Sequence, residues 1–315
     1  MKKSNRILLT VLLALAVILV VASFAAGNYM LGYALTPKPG DNPVHMSENA
    51  PKPAEDMFEW RDAMSETGAF RDTSIIVDGI SLNAMYLRAP QDSRKTVICI
   101  HGYTATPGMM LEYARIFRDS LGYNVLMPAL RYHGKSDGTA IQMGWLDRLD
   151  IEQWMTEAHN MFNDTLMVVH GVSMGGATTM MVSGEKLPGY VRGFIEDCGY
   201  SSVWEQFSLQ LKDMGLPKFP IMHCASILCW LKYGWNFKEA SSVDQLANCT
   251  LPMLFIHGDS DEVVPVEMAY ANFAAKVNGY KELWIVPETT HAMSLRTHPD
   301  EYLSRVRTFL TEHVE

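Results

Sequence analysis

Short apolar runs alternate along most of this chain with stretches in which apolar residues recur every three or four positions. The short runs predict β-strands at 74–77, 82–87, 96–100, 124–127, 166–170, 193–196, 253–257 and 283–286. The periodic stretches predict helices at 109–121, 147–162, 174–184, 266–277 and 299–313, because an amphipathic helix repeats its apolar face every 3.6 residues. This alternation predicts an α/β fold with a mostly parallel central sheet and helices on both faces.

One segment, 200–246, breaks the alternation and is called the cap below. It lies between two predicted strands and is rich in aromatic residues: Trp204, Phe207, Phe219, Trp230, Trp235 and Phe237. We therefore expect a helical cap insertion within one α/β domain that spans 57–315.

The N-terminus is the most apolar part of the chain. No Asp, Glu, Lys or Arg occurs from Ile7 to Pro37, and the 20 residues 7–26 are almost purely apolar. A helix of that length measures about 30 Å, which is the thickness of a bilayer's hydrocarbon core. We expect a transmembrane anchor at 7–30 behind a basic cytoplasmic segment at 1–6. Because basic residues stay on the cytoplasmic side, the rest of the chain is expected outside the cytoplasm.

A cleaved signal peptide, and hence a secreted protein, is the alternative to an anchor. Ser23, Ala25 and Ala26 are small enough for a cleavage site, but the apolar core of a signal peptide usually has only about 7–15 residues. Residues 31–56 are proline-rich and are expected to form an extended stalk. A fragment that starts near Pro53 would then be soluble and active.

Charge and cysteine content exclude several classes of protein. The net charge of −9, from 26 basic and 35 acidic residues, and the lack of a dense Lys/Arg patch argue against nucleic-acid binding. Five cysteines without a Cys-x-x-Cys pair indicate neither a disulfide framework nor a structural zinc site. We expect no metal and no organic cofactor.

The strongest chemical signal is Gly171-Val172-Ser173-Met174-Gly175, a Gly-x-Ser-x-Gly motif. A predicted strand precedes it and a predicted helix follows, which is the context of a nucleophile held on a sharp turn. The glycines avoid clashes in that turn. The N–H groups at the start of the helix favour a developing oxyanion. Ser173 is therefore the candidate nucleophile, and the Met174 N–H is one candidate oxyanion donor.

A serine nucleophile needs a base and an acid that orients the base. In strand–turn–helix hydrolases these follow in the order acid, then His. His291 comes after the last predicted strand, and both Asp259 and Asp261 come after the strand before it. His291 is therefore the candidate base, and either aspartate could orient it.

From about 74 to 313 the chain resembles the α/β-hydrolase superfamily, in its serine-hydrolase branch. In that branch the strand before the acid ends in His-Gly-x-x-Asp-x-x-x-Pro, which His257, Gly258, Asp261 and Pro265 match. The resemblance implies that Asp261, rather than Asp259, is the acid. The resemblance is not to the dehalogenase relatives, because these carry an Asp where this chain has Ser173.

The same resemblance implies a second oxyanion donor in the loop His101-Gly102-Tyr103. By likeness to His-Gly-x loops, the donor is the Tyr103 backbone N–H. The ring of Tyr103 either reaches the substrate or packs within the fold.

These parts predict a membrane-anchored serine hydrolase that cleaves an acyl ester through an acyl-enzyme intermediate. A peptidase or amidase with the same triad is one alternative, and a catalytically silent binding protein is another. Apolar cap residues 216–222 and 227–231 either seal the cap onto the domain or contact the substrate. In the second case we expect a preference for medium-length apolar acyl groups over acetyl.

Overall fold

The computed structural model describes residues 3–37 and 54–315. Its eight strands are β1 Phe70–Val77, β2 Ile80–Leu87, β3 Lys95–Ile100, β4 Asn124–Pro128, β5 Leu166–Val172, β6 Val191–Asp197, β7 Met253–Gly258 and β8 Lys281–Val286. Its α-helices are α1 Lys3–Leu35, α2 Glu55–Glu66, α3 Leu111–Arg115, α4 Asp147–Phe162, α5 Met174–Ser183, α6 Val203–Asp213, α7 Lys218–Tyr233, α8 Ser242–Leu246, α9 Val266–Ala275, α10 Ser294–Thr297 and α11 Pro299–Phe309.

The strands form one sheet in the order β1-β2-β4-β3-β5-β6-β7-β8. Strands β3 to β8 run parallel, whereas β1 and β2 form an antiparallel hairpin and β2 pairs antiparallel with β4. Val77 faces Ile80 across the turn at Asp78 and Gly79. The predicted α/β fold with a mostly parallel sheet is confirmed.

Two apolar layers enclose the sheet, because residues of a strand alternate between its faces. In β3, Ile98 and Ile100 belong to the layer that contains α4, α5 and the cap. Val97 and Cys99 belong to the layer that contains α3 and α11. The central strands are buried on both faces, which explains why they appear in the sequence as continuous apolar runs.

The cap consists of α6, α7 and α8, which lie between β6 and β7. Its inner residues, including Phe207 and Phe237, are buried in the same layer as α5. Gln206 of α6 donates to the Val263 carbonyl oxygen in the loop after β7 at 3.0 Å, and α6 lines one cavity with Ser173 after β5. The cap therefore lies over the carboxyl ends of these parallel strands.

Helix α1 extends beyond the predicted end of the anchor at residue 30 and reaches Leu35. Residues 6–22 are exposed, whereas Leu31 and Leu35 are buried in the core layer of the cap. The expectation that the stalk begins at residue 31 is therefore wrong, because these apolar residues pack on the domain instead of extending away from it. The predicted stalk also ends earlier than residue 56, since α2 begins at Glu55. The remainder of the predicted stalk, 38–53, lies outside the described residues.

Candidate active site

The candidate nucleophile stands on a strained turn. Ser173 joins β5 to α5 with φ 59° and ψ −117°, a conformation that is unfavourable for any residue with a side chain. A Cβ on Gly171 would lie 2.1 Å from the Gly175 carbonyl oxygen, and one on Gly175 would lie 2.0 Å from that of Ile100. Neither position has room for a side chain, so the two glycines of the motif are a steric requirement of the turn.

Ser173, His291 and Asp261 form a continuous chain of hydrogen bonds. The Ser173 Oγ lies 2.8 Å from His291 Nε2, and His291 Nδ1 lies 2.7 Å from Asp261 Oδ2. The loops after β5, β7 and β8 supply the three side chains, so parallel strands bring residues far apart in sequence to one edge of the sheet. The structure therefore brings together all three predicted residues, and their catalytic roles remain a prediction.

The surroundings of Asp261 distinguish it from Asp259. Asp261 is buried, and its Oδ1 accepts hydrogen bonds of 2.9 Å from the backbone N–H groups of Val263 and Val264. Asp259 is exposed and accepts a bond from the Ser260 hydroxyl. Of the two aspartates, Asp261 is the one whose carboxylate accepts from the imidazole of His291.

The neighbouring His257 has a structural role. Its Nε2 donates to the Val264 carbonyl oxygen at 2.7 Å, and burial lowers the pKa of its imidazole. A neutral ring there supports the loop that carries Asp261 without adding a positive charge beside it.

The two predicted oxyanion donors lie beside Ser173. Met174 is the first residue of α5, where N–H groups have no partner within the helix. A Cβ on Gly102 would lie 3.4 Å from the Ser173 Cβ, so the loop that carries Tyr103 closely approaches the nucleophile. Tyr103, Ser173 and Met174 all line one cavity of about 30 Å³.

The Tyr103 side chain links the cavity at Ser173 to the end of α1. Its hydroxyl donates to the Ala34 carbonyl oxygen at 2.6 Å. The hydroxyl therefore packs within the fold, while the residue also lines the cavity that contains Ser173. The contact also brings the end of α1 to the site, and Tyr33 and Ala34 line the same cavity as Ser173. Sequence reasoning missed this because it assigned both residues to a stalk.

A second supporting residue that the sequence did not reveal is Asp197, at the end of β6. Its carbonyl oxygen accepts from the Ser173 N–H at 2.8 Å, and its Oδ1 accepts from the Ser294 hydroxyl, three residues after His291. Burial raises the pKa of Asp197 to about 7, although the hydrogen bond from Ser294 and the nearby His291 both lower it. Asp197 thus holds the nucleophile turn and the histidine loop to one strand.

One cluster near the site has the composition of a metal site. The potential ligand atoms of Cys198, Asp261 and His291 lie within 4.8 Å of one another. Burial raises the pKa of the Cys198 thiol well above its ordinary value, and the thiolate is the form that binds metals. The aspartate and the histidine already bond to each other, so the hydrogen-bonded triad accounts for this cluster.

Comparison with known proteins places the chain among hydrolases. The pattern of the prolyl oligopeptidase family matches residues 132–315. The uncharacterized protein YqkD of Bacillus subtilis is 30% identical over 257 residues, which are 81% of this chain and 82% of that protein. The Pyrococcus furiosus esterase Pf2001 has a similar structure, with a TM-score of 0.62 and 23% identity over 78% of this chain and 93% of the esterase.

A peptidase shares the fold as well. The acylaminoacyl peptidase of Pyrococcus horikoshii has a TM-score of 0.59 and 16% identity over 78% of this chain, but only 42% of the peptidase chain is covered. Likenesses at this level of identity concern the fold alone. Together with the family pattern, which spans more than half of the chain, and the relative in Bacillus subtilis, they lead to one conclusion: this chain is a member of the prolyl oligopeptidase family, within the α/β-hydrolase superfamily.

Proposed function

We propose that this protein is a membrane-anchored serine hydrolase that cleaves carboxylic esters outside the cytoplasm. The observation that carries the proposal is the hydrogen-bonded chain from Ser173 through His291 to Asp261, which opens onto a cavity at the start of α5. Such a chain activates a hydroxyl that is otherwise a weak nucleophile.

The reaction proceeds in two halves. His291 Nε2 takes the proton of Ser173 as the Oγ attacks the ester carbonyl, while Asp261 holds the Nδ1–H tautomer and stabilises the imidazolium. The Tyr103 and Met174 N–H groups stabilise the oxyanion. His291 then gives its proton to the departing alcohol. In the second half it activates a water molecule, which releases the acid from Ser173.

The lining of the cavity favours an ester over a peptide. A peptide substrate brings backbone N–H and C=O groups, and each costs about 1–3 kcal/mol if it is buried without a partner. Two tyrosine hydroxyls at this cavity already bond to the protein's own backbone, Tyr103 to Ala34 and Tyr200 to the Met143 carbonyl oxygen. Apart from Ser173, Gln206 and Gln210, the lining residues are apolar or aromatic, which suits an acyl chain.

Helix α1 supports the anchoring part of the proposal. Residues 6–35 are long and apolar enough to cross a membrane, and residues 6–22 make no contact that buries them. Full exposure of so many apolar side chains to water would be unfavourable. A bilayer around 6–22 removes that cost. Intact mass of the membrane-extracted protein tests the alternative, since cleavage near Ala26 would remove the whole exposed part.

Labelling by a fluorophosphonate tests the enzymatic part. We expect the full-length protein to react, the Ser173→Ala variant not to react, and the control Ser260→Ala, which changes an exposed serine next to Asp261, to react normally. Hydrolysis rates on p-nitrophenyl esters and on peptide p-nitroanilides then separate esterase from peptidase. Faster cleavage of the anilides would favour the peptidase, and no label on folded wild-type protein would favour the silent binding protein.

A further inference from the structure

A second cavity adjoins the one at Ser173. It measures about 230 Å³ and shares four lining residues with the first: Tyr33, Ala34, Phe207 and Gln210. Apart from Gln210 and Asp213, its lining is apolar or aromatic. An apolar cavity of roughly 150 Å³ is enough for a benzene-sized ligand, so this one has room for an apolar chain on the order of eight carbons.

The walls of this cavity come from two parts of the chain. One is the cap, through residues of α6 and α7 such as Leu211 and Met222. The other is α1, which contributes Met30, Leu31, Tyr33 and Ala34. The helix with the exposed apolar N-terminal part thus forms one side of the cavity with its C-terminal end.

Close contacts fix this end of α1 in place. A Cβ on Gly27 would lie 2.8 Å from the backbone nitrogen of Ala225 in α7, so the two helices meet at glycine-limited distance. The Leu35 carbonyl oxygen accepts from the Ile141 N–H at 2.8 Å. At the position next to Gly27, Lys232 Nζ of α7 donates to Asn28 Oδ1 at 2.6 Å. The wall is therefore a part of the packed structure.

The cavity also reaches the surface on the apolar side of the cap. Met214 lines it and is 44% exposed. Near it in sequence, Leu216 and Phe219 are exposed, and so are Trp230 and Leu231 on α7. Tryptophan and apolar side chains of this kind favour the membrane interface, which is where the exposed part of α1 would hold the cap.

We propose that the C-terminal end of α1 and the cap together form an acyl-chain site, and that the substrate is an ester of a medium-length fatty acid taken from the membrane. This rests on the proposed esterase function. The acyl carbonyl lies at Ser173, and the chain extends past Tyr33 and Ala34 between α1, α6 and α7. Met30 lines only the larger cavity, so its size sets how long a chain the site accepts.

The test compares chain-length profiles of the full-length protein in phosphatidylcholine vesicles. We expect kcat/KM for p-nitrophenyl octanoate to exceed that for the acetate, because each buried CH₂ contributes up to about fourfold. Met30→Trp, which fills the cavity, should lower the octanoate-to-acetate ratio about tenfold or more. Met30→Ala, which enlarges the cavity, should move the preferred chain to a longer one. The matched control Ala16→Phe, on the exposed part of the same helix, should keep the wild-type ratio.

The outcomes separate this inference from the esterase proposal. An unchanged ratio in both Met30 variants, with normal fluorophosphonate labelling, would refute the acyl-chain site and leave the esterase intact. No hydrolysis of any ester by wild type would refute the esterase. A further experiment uses dioctanoylglycerol held in the vesicles. Cleavage that depends on Ser173 would support the proposal that the substrate is taken from the membrane. Cleavage of p-nitrophenyl octanoate without cleavage of dioctanoylglycerol would refute it.

Discussion

Replacing Asp261 by Asn should reverse the tautomer of His291 while leaving its position unchanged. Asp261 Oδ1 accepts from two backbone N–H groups, of Val263 and Val264, so the oxygen of an asparagine amide must occupy that position. Its NH₂ group then faces His291 Nδ1. Because Nδ1 must now accept a hydrogen bond, the ring proton moves to Nε2 and points at the Ser173 Oγ, which can no longer transfer its proton there.

The expected loss follows from this geometry. The opposite amide orientation would place the NH₂ group against two N–H donors and would cost about 1–3 kcal/mol for each bond lost. The asparagine therefore keeps its oxygen toward the backbone N–H groups. Loss of tautomer control in a triad lowers kcat about 10⁴-fold. That factor corresponds to about 5.4 kcal/mol of lost transition-state stabilisation.

The assay is kcat/KM for p-nitrophenyl acetate, with thermal unfolding as a check on the fold. Asp259→Asn is the matched control and should change kcat/KM less than about threefold, since an exposed carboxylate that does not touch His291 is altered. Retention of a tenth or more of wild-type activity in Asp261→Asn, or a larger effect of Asp259→Asn, would refute the assignment of the acid.

Two further predictions concern stability. A chain that starts at Ala54 loses the buried side chains of Leu31 and Leu35, each of which contributes about 1.5–3 kcal/mol, so its Tm should fall by about 10 °C. A chain that starts at Ser23 should keep the wild-type Tm. Equal Tm values for the two fragments would show that residues 31–35 do not stabilise the domain. Asp197 has a folded pKa of about 7 against an ordinary value of 3.8, so wild type should lose stability relative to Asp197→Asn as the pH rises from about 4 to 7, by up to about 1.4 kcal/mol per pH unit, and no more above pH 7. Urea unfolding between pH 4 and 8 measures the difference, and parallel profiles for the two proteins would contradict it.

Features encoded locally were predictable from the sequence. The turn at Ser173 is determined by neighbouring glycines that leave no room for a side chain, and the loop around Asp261 bonds to its own next residues. Strand β1 was predicted four residues too short, at 74 instead of Phe70. It is an edge strand whose polar residues Arg71 and Asp72 face solvent, so no apolar run marks its beginning.

Features that depend on tertiary packing were not predictable. Residues 31–35 are as apolar as the rest of α1, and nothing in the sequence separates a membrane-facing turn from one that packs on α7. Gly27 was an available signal, because a glycine within a long apolar helix often allows close helix contact. The hydrogen bond from Ser294 to Asp197 joins residues 97 positions apart, and no sequence motif predicts it.

The unbroken course of α1 into the domain also fixes the geometry of encounter with substrate. From Ala22, the last residue of the continuously exposed stretch, to Ala34 at the cavity, the helix rises only about 18 Å. Because these residues form one continuous helix, the domain keeps a fixed orientation relative to the N-terminal part of α1. With α1 in the bilayer as proposed, the search for substrate becomes lateral diffusion in two dimensions at one constant height. Turnover should then follow the surface density of the ester in the bilayer and not its bulk concentration.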